Sequence, residues 1–427
     1  MLDIKRYQNV SCLGVFLSMC LVLLLVHETH GQANQTDQPE IIKNNSAFYI
    51  HSGLYDDFSA QRIRLESTPD SVISLIFSQH RSLEVLPCGC SIIPYGGIDR
   101  EFNLLQQWRS NDPGQVVINL TSGTTFTPQI VPPNPSREFV DIASKKAVLL
   151  MKGLEALELN AVSIGSYDLR LGKEFLDQIQ NSSAIPFVNA NILYRGKPYF
   201  DPYIVFQVGK VQIVVIGLSG SANSELESGF EVVHPKRILP ALMSKVFEEV
   251  TPDALIVFSS SVTEDVMIEV LDQFPHSHIL AGTGPLECVK GSVGGYSQHS
   301  DKSLFLSPQP LGTELIRINL PLQTRYRQFY GNGSGRARYG IEYWKKESES
   351  LVEQLDFASG EQRKEIDRQL LAAKRRQDAM STVPINPSPQ TVIYKIDSER
   401  ISGEYSHQDN AVSSIVSEFS NLPYVSK

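Results

Sequence analysis

Cysteine and positive charge are both scarce in this chain. Five cysteines occur among 427 residues, and two of them, Cys12 and Cys20, fall in an apolar stretch near the N-terminus. No Cys-x-x-Cys-His occurs, which excludes a covalently attached c-type haem. Lysine and arginine total 38 against 47 acidic residues, for a net charge of −9. No basic field is available to collect phosphates, so nucleic acid is not expected as the main partner. Beyond the N-terminal stretch no apolar run is long enough to cross a bilayer as a helix, and no internal repeat is present.

What is there reads as an exported globular protein. Apolar residues make up 41% and charged residues 20%, an ordinary soluble composition. Lys5 and Arg6 precede the apolar run Leu13 to Val26, and Thr29-His30-Gly31 offers small residues at the expected cleavage positions. Residues 1–31 are therefore expected to be a signal peptide, with an uncleaved N-terminal membrane anchor as the alternative. The exported part, periplasmic or secreted, keeps Cys88, Cys90 and Cys288. An odd number in an oxidising compartment leaves at least one thiol free, metal-bound or paired with another chain.

Residues 32–70 are polar and irregular. Strands are expected at Ser71–Phe77, Gln115–Leu120, Ala161–Ile164 and Pro186–Asn189, with helices over Ile98–Arg109, Asp141–Leu159 and Lys173–Gln180. Tyr203–Val208 and Val211–Leu218 read as a hairpin around Gly209-Lys210. Helices at Ile238–Val250 and Glu264–Gln273 alternate with strands at Ala254–Phe258 and Ile279–Ala281, and Leu304–Leu306 and Glu314–Leu320 close the series. This alternation predicts layered α/β architecture. After the flexible break Gly331-Asn332-Gly333-Ser334-Gly335, residues 339–380 read as a charged helical hairpin, followed by a tail over 381–427 in which Thr391–Ile396 reads as one more strand. The hairpin is the expected site of any protein partner.

Four segments carry a family likeness: Asn119–Phe126, Asn160–Asp168, Ala254–Ser260 and Ile279–Gly284. They resemble the strand-end motifs of the calcineurin-like metallophosphoesterases, 5′-nucleotidase branch. The resemblance covers residues 71–325, and implies a four-layer α/β/β/α sandwich whose strand ends hold two metals that activate water and clamp phosphate. Nearly every ligand it calls for is missing. Ser78, Gln79 and His80 stand where an Asp-x-His pair should follow Phe77. Thr124 replaces the bridging Asp. Gly165-Ser166-Tyr167-Asp168 stands for Gly-Asn-His-Glu. Ser260 takes the place of a His, and Thr283 and Pro285 replace both His of the last motif. Neutral hydroxyls do not offset two dications at close range. His276 and His278, two apart on a strand, share a face and are the other metal candidates.

Pro87-Cys88-Gly89-Cys90 resembles a bacterial exported subgroup similar to 5′-nucleotidases, in which Cys-Gly-Cys or its selenocysteine equivalent follows the first motif. Three chemistries stay open for it: a thiolate chelate for a single soft metal, a strained and hence oxidising disulfide, or two inert thiols. The resemblance also implies that the loop carrying Cys288 converges on the same pocket. The expectation is thus an exported 5′-nucleotidase-like pseudoenzyme without its dinuclear metal site and without a cofactor. It would act either as a binding protein for a small polar ligand in the vacated pocket or as a thiol-redox protein. Residual metal-dependent hydrolysis through His80, Asp168, His276 and His278 is the alternative.

Overall fold

Runs of Val, Ile, Leu and Phe that are apolar on both faces build two sheets here, as buried parallel strands require. The computed structural model describes residues 53–87, 94–220, 226–262, 278–282, 295–298, 303–322, 328–331, 391–405 and 410–423, with Met267 and most of 348–371. The strands are β1 (Gln61–Leu65), β2 (Val72–Gln79), β3 (Gln115–Gly123), β4 (Ala161–Ile164), β5 (Phe187–Val188), β6 (Ile192–Tyr194), β7 (Lys197–Pro198) and β8 (Tyr203–Val208). They continue as β9 (Val211–Leu218), β10 (Phe230–Val232), β11 (Leu255–Ser260), β12 (His278–Ala281), β13 (Gly295–Gln298), β14 (Ser303–Ser307), β15 (Glu314–Pro321), β16 (Gln328–Gly331) and β17 (Thr391–Arg400). Helices α1 (Ile98–Asn111), α2 (Arg137–Ala156), α3 (Gly172–Gln180), α4 (Pro235–Glu249) and α5 (Ser413–Asn421) complete the layers.

The first sheet has the order β16-β17-β15-β2-β3-β4-β5, and the second β1-β8-β9-β11-β12-β14-β13. Strands β2 to β5 run parallel, as do β9, β11, β12 and β14. A small sheet β10-β6-β7 adjoins them in the chain. Side-chain alternation assigns the layers. Ile73, Leu75 and Phe77 of β2 meet Ile213 and Val215 of β9 between the sheets. Val214 and Ile216, the alternate residues of β9, pack on Ile238, Leu242 and Val246 of α4. On the outer face of the first sheet, Val162 and Ile164 meet Leu150 and Leu154 of α2 and Phe175 of α3. Three apolar interfaces therefore separate four layers, α/β/β/α, as expected. Each fully buried Val, Leu or Ile contributes about 1.5–3 kcal/mol.

Most expected elements appear within a few residues of their expected ends. Helix α2 starts at Arg137 rather than Asp141, because the Ser136 hydroxyl caps it by accepting from Phe139 N at 3.1 Å. The apolar stripe shows where a helix is buried, not where it is capped. The expected helix over Glu264–Gln273 lies outside the described residues apart from Met267.

The packed core exceeds the expected limits of 71 and 325. Strand β1, within the supposedly irregular 32–70 segment, pairs in parallel with β8. Strand β17, within the supposed tail, lies between β15 and β16. Ile401, Val412 and Phe419 then join the core beneath α1 and α2. Arg317 of β15 reinforces the seam, bridging Asp397 of β17 at 2.7 Å and Asp112 at 3.1 Å. Its guanidinium lies 4.6 Å from the Trp108 ring centre. The described residues of 348–371 are largely helical, and Leu351, Ala358 and Ile366 form a separate apolar cluster. Among the described residues no helix is long and apolar enough to cross a membrane.

Deleting residues 390–427 should abolish the cooperative thermal transition, because β15 loses one of its two partner strands and the α1–α2 face loses its cover. A truncated chain that melts within about 5 °C of the parent would show these elements to be dispensable.

Candidate functional site

The carboxyl ends of strands from both sheets meet at one place. The Ser163 hydroxyl donates to the Ser259 carbonyl at 2.6 Å, and the Ser219 hydroxyl donates to the Ile164 carbonyl at 2.8 Å, each bond crossing from one sheet to the other. Asn189 Nδ2 also reaches Ile164 O at 2.8 Å, while its side-chain oxygen accepts from the N–H groups of Asn191 and Ile192. Asn191 in turn donates to Ser219 O and Val233 O and accepts from Ser219 N. These buried amides were not among the sequence candidates. Their signal is the Asn189-Ala190-Asn191 triplet directly after a strand, polar where the neighbouring runs are apolar.

Backbone closes tightly over this junction. Gly123 and Gly282 have φ of 76° and 102°. A Cβ on Gly123 would overlap the His80 ring, and one on Gly165 would overlap the Gly123–Thr124 peptide. Glycine is therefore required where two strand-end loops touch.

His80 follows β2 in a left-handed conformation, φ 45°. Its N–H donates to Ser122 O at 2.8 Å, and its carbonyl accepts from Leu311 N at 2.8 Å. Its ring Nδ1 accepts from Thr124 N at 3.2 Å, so that nitrogen carries no proton. Thr124 thus gives its backbone to His80 and brings only a neutral hydroxyl to the junction. Ser166 is buried next to it, and half-buried Tyr167 lies under Arg170, whose guanidinium is 5.0 Å from the ring centre. The Ser260 hydroxyl accepts from Val262 N at 2.8 Å, closing a turn after β11.

Asp168 is the carboxylate of the group, and it turns inward. It is fully buried and accepts from the N–H groups of Phe126 at 2.8 Å, Thr127 at 3.0 Å, Thr125 at 3.0 Å and Gly165 at 3.3 Å. Burial pushes its pKa up to about 6, against the pull of those N–H groups in the other direction. The residue is a clamp joining the loop after β3 to the turn after β4.

His278 does not join this site. It opens β12, at the strand end remote from Ala281 and Gly282, and pairs in register with Ile256. Its ring stacks on Phe258 at 6.2 Å, so it faces the α4 layer together with Leu280. The face of β12 that carries His278 is covered by the outer layer. His276, Thr283, Pro285, Cys88, Cys90 and Cys288 lie outside the described residues.

The described residues of the junction offer little of what a pair of divalent metals needs. Such a centre needs several anionic or imidazole ligands with free lone pairs. Here the carboxylate is spent on four N–H donors, one imidazole nitrogen accepts a backbone N–H, and Thr124, Ser166 and Ser260 are neutral. Among the described residues, no three His, Cys, Asp or Glu side chains gather where they could hold a metal ion.

No protein-family profile matches the chain. Over 112 residues it is 26% identical to a 5′-nucleotidase of Vibrio cholerae, a stretch covering 25% of this chain and 20% of that protein. It is also similar to the crystal structure of a 5′-nucleotidase precursor from Thermus thermophilus, at 17% identity and a TM-score of 0.43, over 58% of this chain and 51% of the other. A calcineurin-like phosphoesterase from Bacillus subtilis matches at 13% identity and a TM-score of 0.49, over 82% of this chain and 97% of the other. The chain spans about a fifth of the Vibrio protein and half of the Thermus one.

The Asp168 clamp has a pH signature. Its folded-state pKa lies above the ordinary aspartate value, so its stabilising contribution is complete below about pH 4 and is lost as pH rises through about 6. The displacement is worth on the order of 3 kcal/mol. In urea unfolding, Asp168→Asn should therefore gain stability relative to the parent by about that amount between about pH 4 and pH 7. A difference that stays constant across this range would show that the carboxyl titrates normally.

Proposed function

We propose that this chain is a 5′-nucleotidase-like protein of the metallophosphoesterase type that has lost its dinuclear metal site. In this reading it is exported and non-catalytic, and it binds a neutral polar ligand at the old strand-end pocket. The observation that carries the proposal is the inward turn of Asp168, whose carboxylate is consumed by four backbone donors. The contact between Thr124 N and His80 Nδ1 supports it, because backbone fills the space where a bridging ligand would work. The short likeness to a 5′-nucleotidase of Vibrio cholerae supports the ancestry. Thr124, Ser166, Tyr167, Ser260 and, by its motif position, Thr283 offer neutral hydroxyls, which suit sugars or other uncharged polar molecules.

The test is an assay of the full chain with AMP and p-nitrophenyl phosphate in excess Mg²⁺, Mn²⁺, Co²⁺ or Zn²⁺, with metal analysis of the protein alongside. No turnover above the protein-free rate and no stoichiometric metal is expected. Turnover near the ~1–10³ s⁻¹ of ordinary enzymes, with two bound metals, would overturn the proposal.

A second reading, thiol-redox chemistry at Cys88 and Cys90, has one structural support. Pro87 and Gly96 form an isolated antiparallel bridge, and Gly96 N donates to Ile401 O at 2.7 Å, so the loop carrying the two cysteines is pinned at both ends. A pinned neck favours pairing within the loop over pairing with another chain. In this reading Cys88 and Cys90 cycle between dithiol and disulfide with a defined midpoint in a glutathione redox titration, and Cys90→Ser removes that transition. Thiols that stay reduced across the titration, or a transition that survives Cys90→Ser, would dismiss the reading.

A further inference from the structure

The loop that follows His80 has a second face, turned away from the strand-end junction, and that face lines a cavity of about 300 Å³. Loop residues 82–86 form one wall, residues 128–130 another, and Lys146 of α2 and Phe419 of α5 the rest. Leu83, Leu86, Ile130, Phe419 and Leu422 make most of its surface apolar. Two charged side chains of opposite sign share the lining. Lys146 is buried in the cavity wall, its ammonium 4.5 Å from the centre of the Phe419 ring. Glu84 lines the same space and acts electrostatically on it. Ser82 is also buried, and its hydroxyl has no hydrogen-bond partner. Ser82 and Leu83 hold φ of 49° and 64°, uncommon for side chains of their kind.

Charge bookkeeping within the cavity selects the ligand class. A monoanion reaching Lys146 would confront Glu84, and a monocation reaching Glu84 would confront Lys146. A wholly apolar ligand would bury both charges further from water, which is unfavourable. A ligand carrying both charges at one end and an apolar body at the other satisfies every wall. We propose that this cavity binds a zwitterionic amino acid with an apolar side chain, its carboxylate on Lys146, its ammonium on Glu84 and its side chain against Leu83, Leu86 and Phe419. Burial pushes the Glu84 carboxyl up and the Lys146 ammonium down, and each offsets the other in part, so each charge gains from an added partner. The cavity's size lies at the lower end of the ~300–1,000 Å³ typical of small-molecule sites, which suits a ligand of this size. The site shares no side chain with the strand-end junction and stands whether or not hydrolytic activity survives there.

Isothermal titration of the full chain tests this, with L-leucine and L-phenylalanine as probes. L-leucinamide, which lacks the carboxylate, and N-acetyl-L-leucine, which lacks the ammonium, serve as controls. Saturable binding of at least one amino acid is expected, with both blocked forms weaker by about 10–100-fold, the loss of one charged hydrogen bond. Lys146→Met should reduce affinity for the free amino acid to the level of the amide. Ile130→Trp, at a position 54% exposed at the cavity wall, should block binding while leaving the circular dichroism spectrum and melting point unchanged. The proposal fails if neither amino acid gives heat above dilution, or if the blocked forms bind as tightly as the free ones. It fails equally if a folded Ile130→Trp variant binds like the parent.

Discussion

Two sheets packed face to face, each covered again by helices, leave no strand face for polar chemistry. Ile73, Leu75, Phe77, Ile213 and Val215 close the central layer, and Val214, Ile216, Leu150 and Leu154 close the outer two. Where the strands end, polar groups emerge and their hydrogen bonds must be met by loops. Asp168, Asn189, Asn191, Ser219 and Ser260 answer that need at one junction. The first four spend polar atoms on backbone groups of neighbouring strand ends and Ser260 on its own turn, so much of the polar inventory of the junction holds loops in place.

The layers could be read from the sequence because their cause is local. Buried runs such as Val211–Leu218 announce strands, and a stripe such as Ala143, Ala147, Leu150 and Leu154 announces a helix. Pairing over long sequence distances was not legible. Thr391–Ile396 reads as a strand, yet nothing within it says that it will add to β15 and draw α5 into the core. The strand-end candidates could be named from the sequence, because substitution at a motif position is a property of single residues. Asp168 was visible only as one of those positions. Its partners are backbone N–H groups of residues 125–127 and 165, which have no residue signature, so its role as a clamp emerges only in three dimensions. His278 shows the reverse case: its place on a strand was legible, but which face of β12 is covered depends on α4, a separate element.

The segment after β2 joins the two candidate sites. Its first residue, His80, faces the strand-end junction, and residues 82–86 face the cavity beneath α5. Peptide hydrogen bonds hold it between them: Ser82 N to Thr124 O at 2.9 Å and Leu83 N to Thr125 O at 2.8 Å. The Arg81–Glu101 ion pair, almost wholly buried, anchors its middle. Removing one member of such a pair typically costs about 3–5 kcal/mol, so this short stretch is held far more firmly than its irregular backbone suggests.

The position of β17 bears on the order of assembly. Strand β15 lies between β2, which precedes it by most of the domain, and β17, which follows it after the helical residues of 348–371. During synthesis β15 would present an open edge until the last strand leaves the ribosome, and contacts this distant in sequence form slowly. The first sheet is thus finished last. A chain built this way stays incompletely paired for longer than one whose strands pair in order.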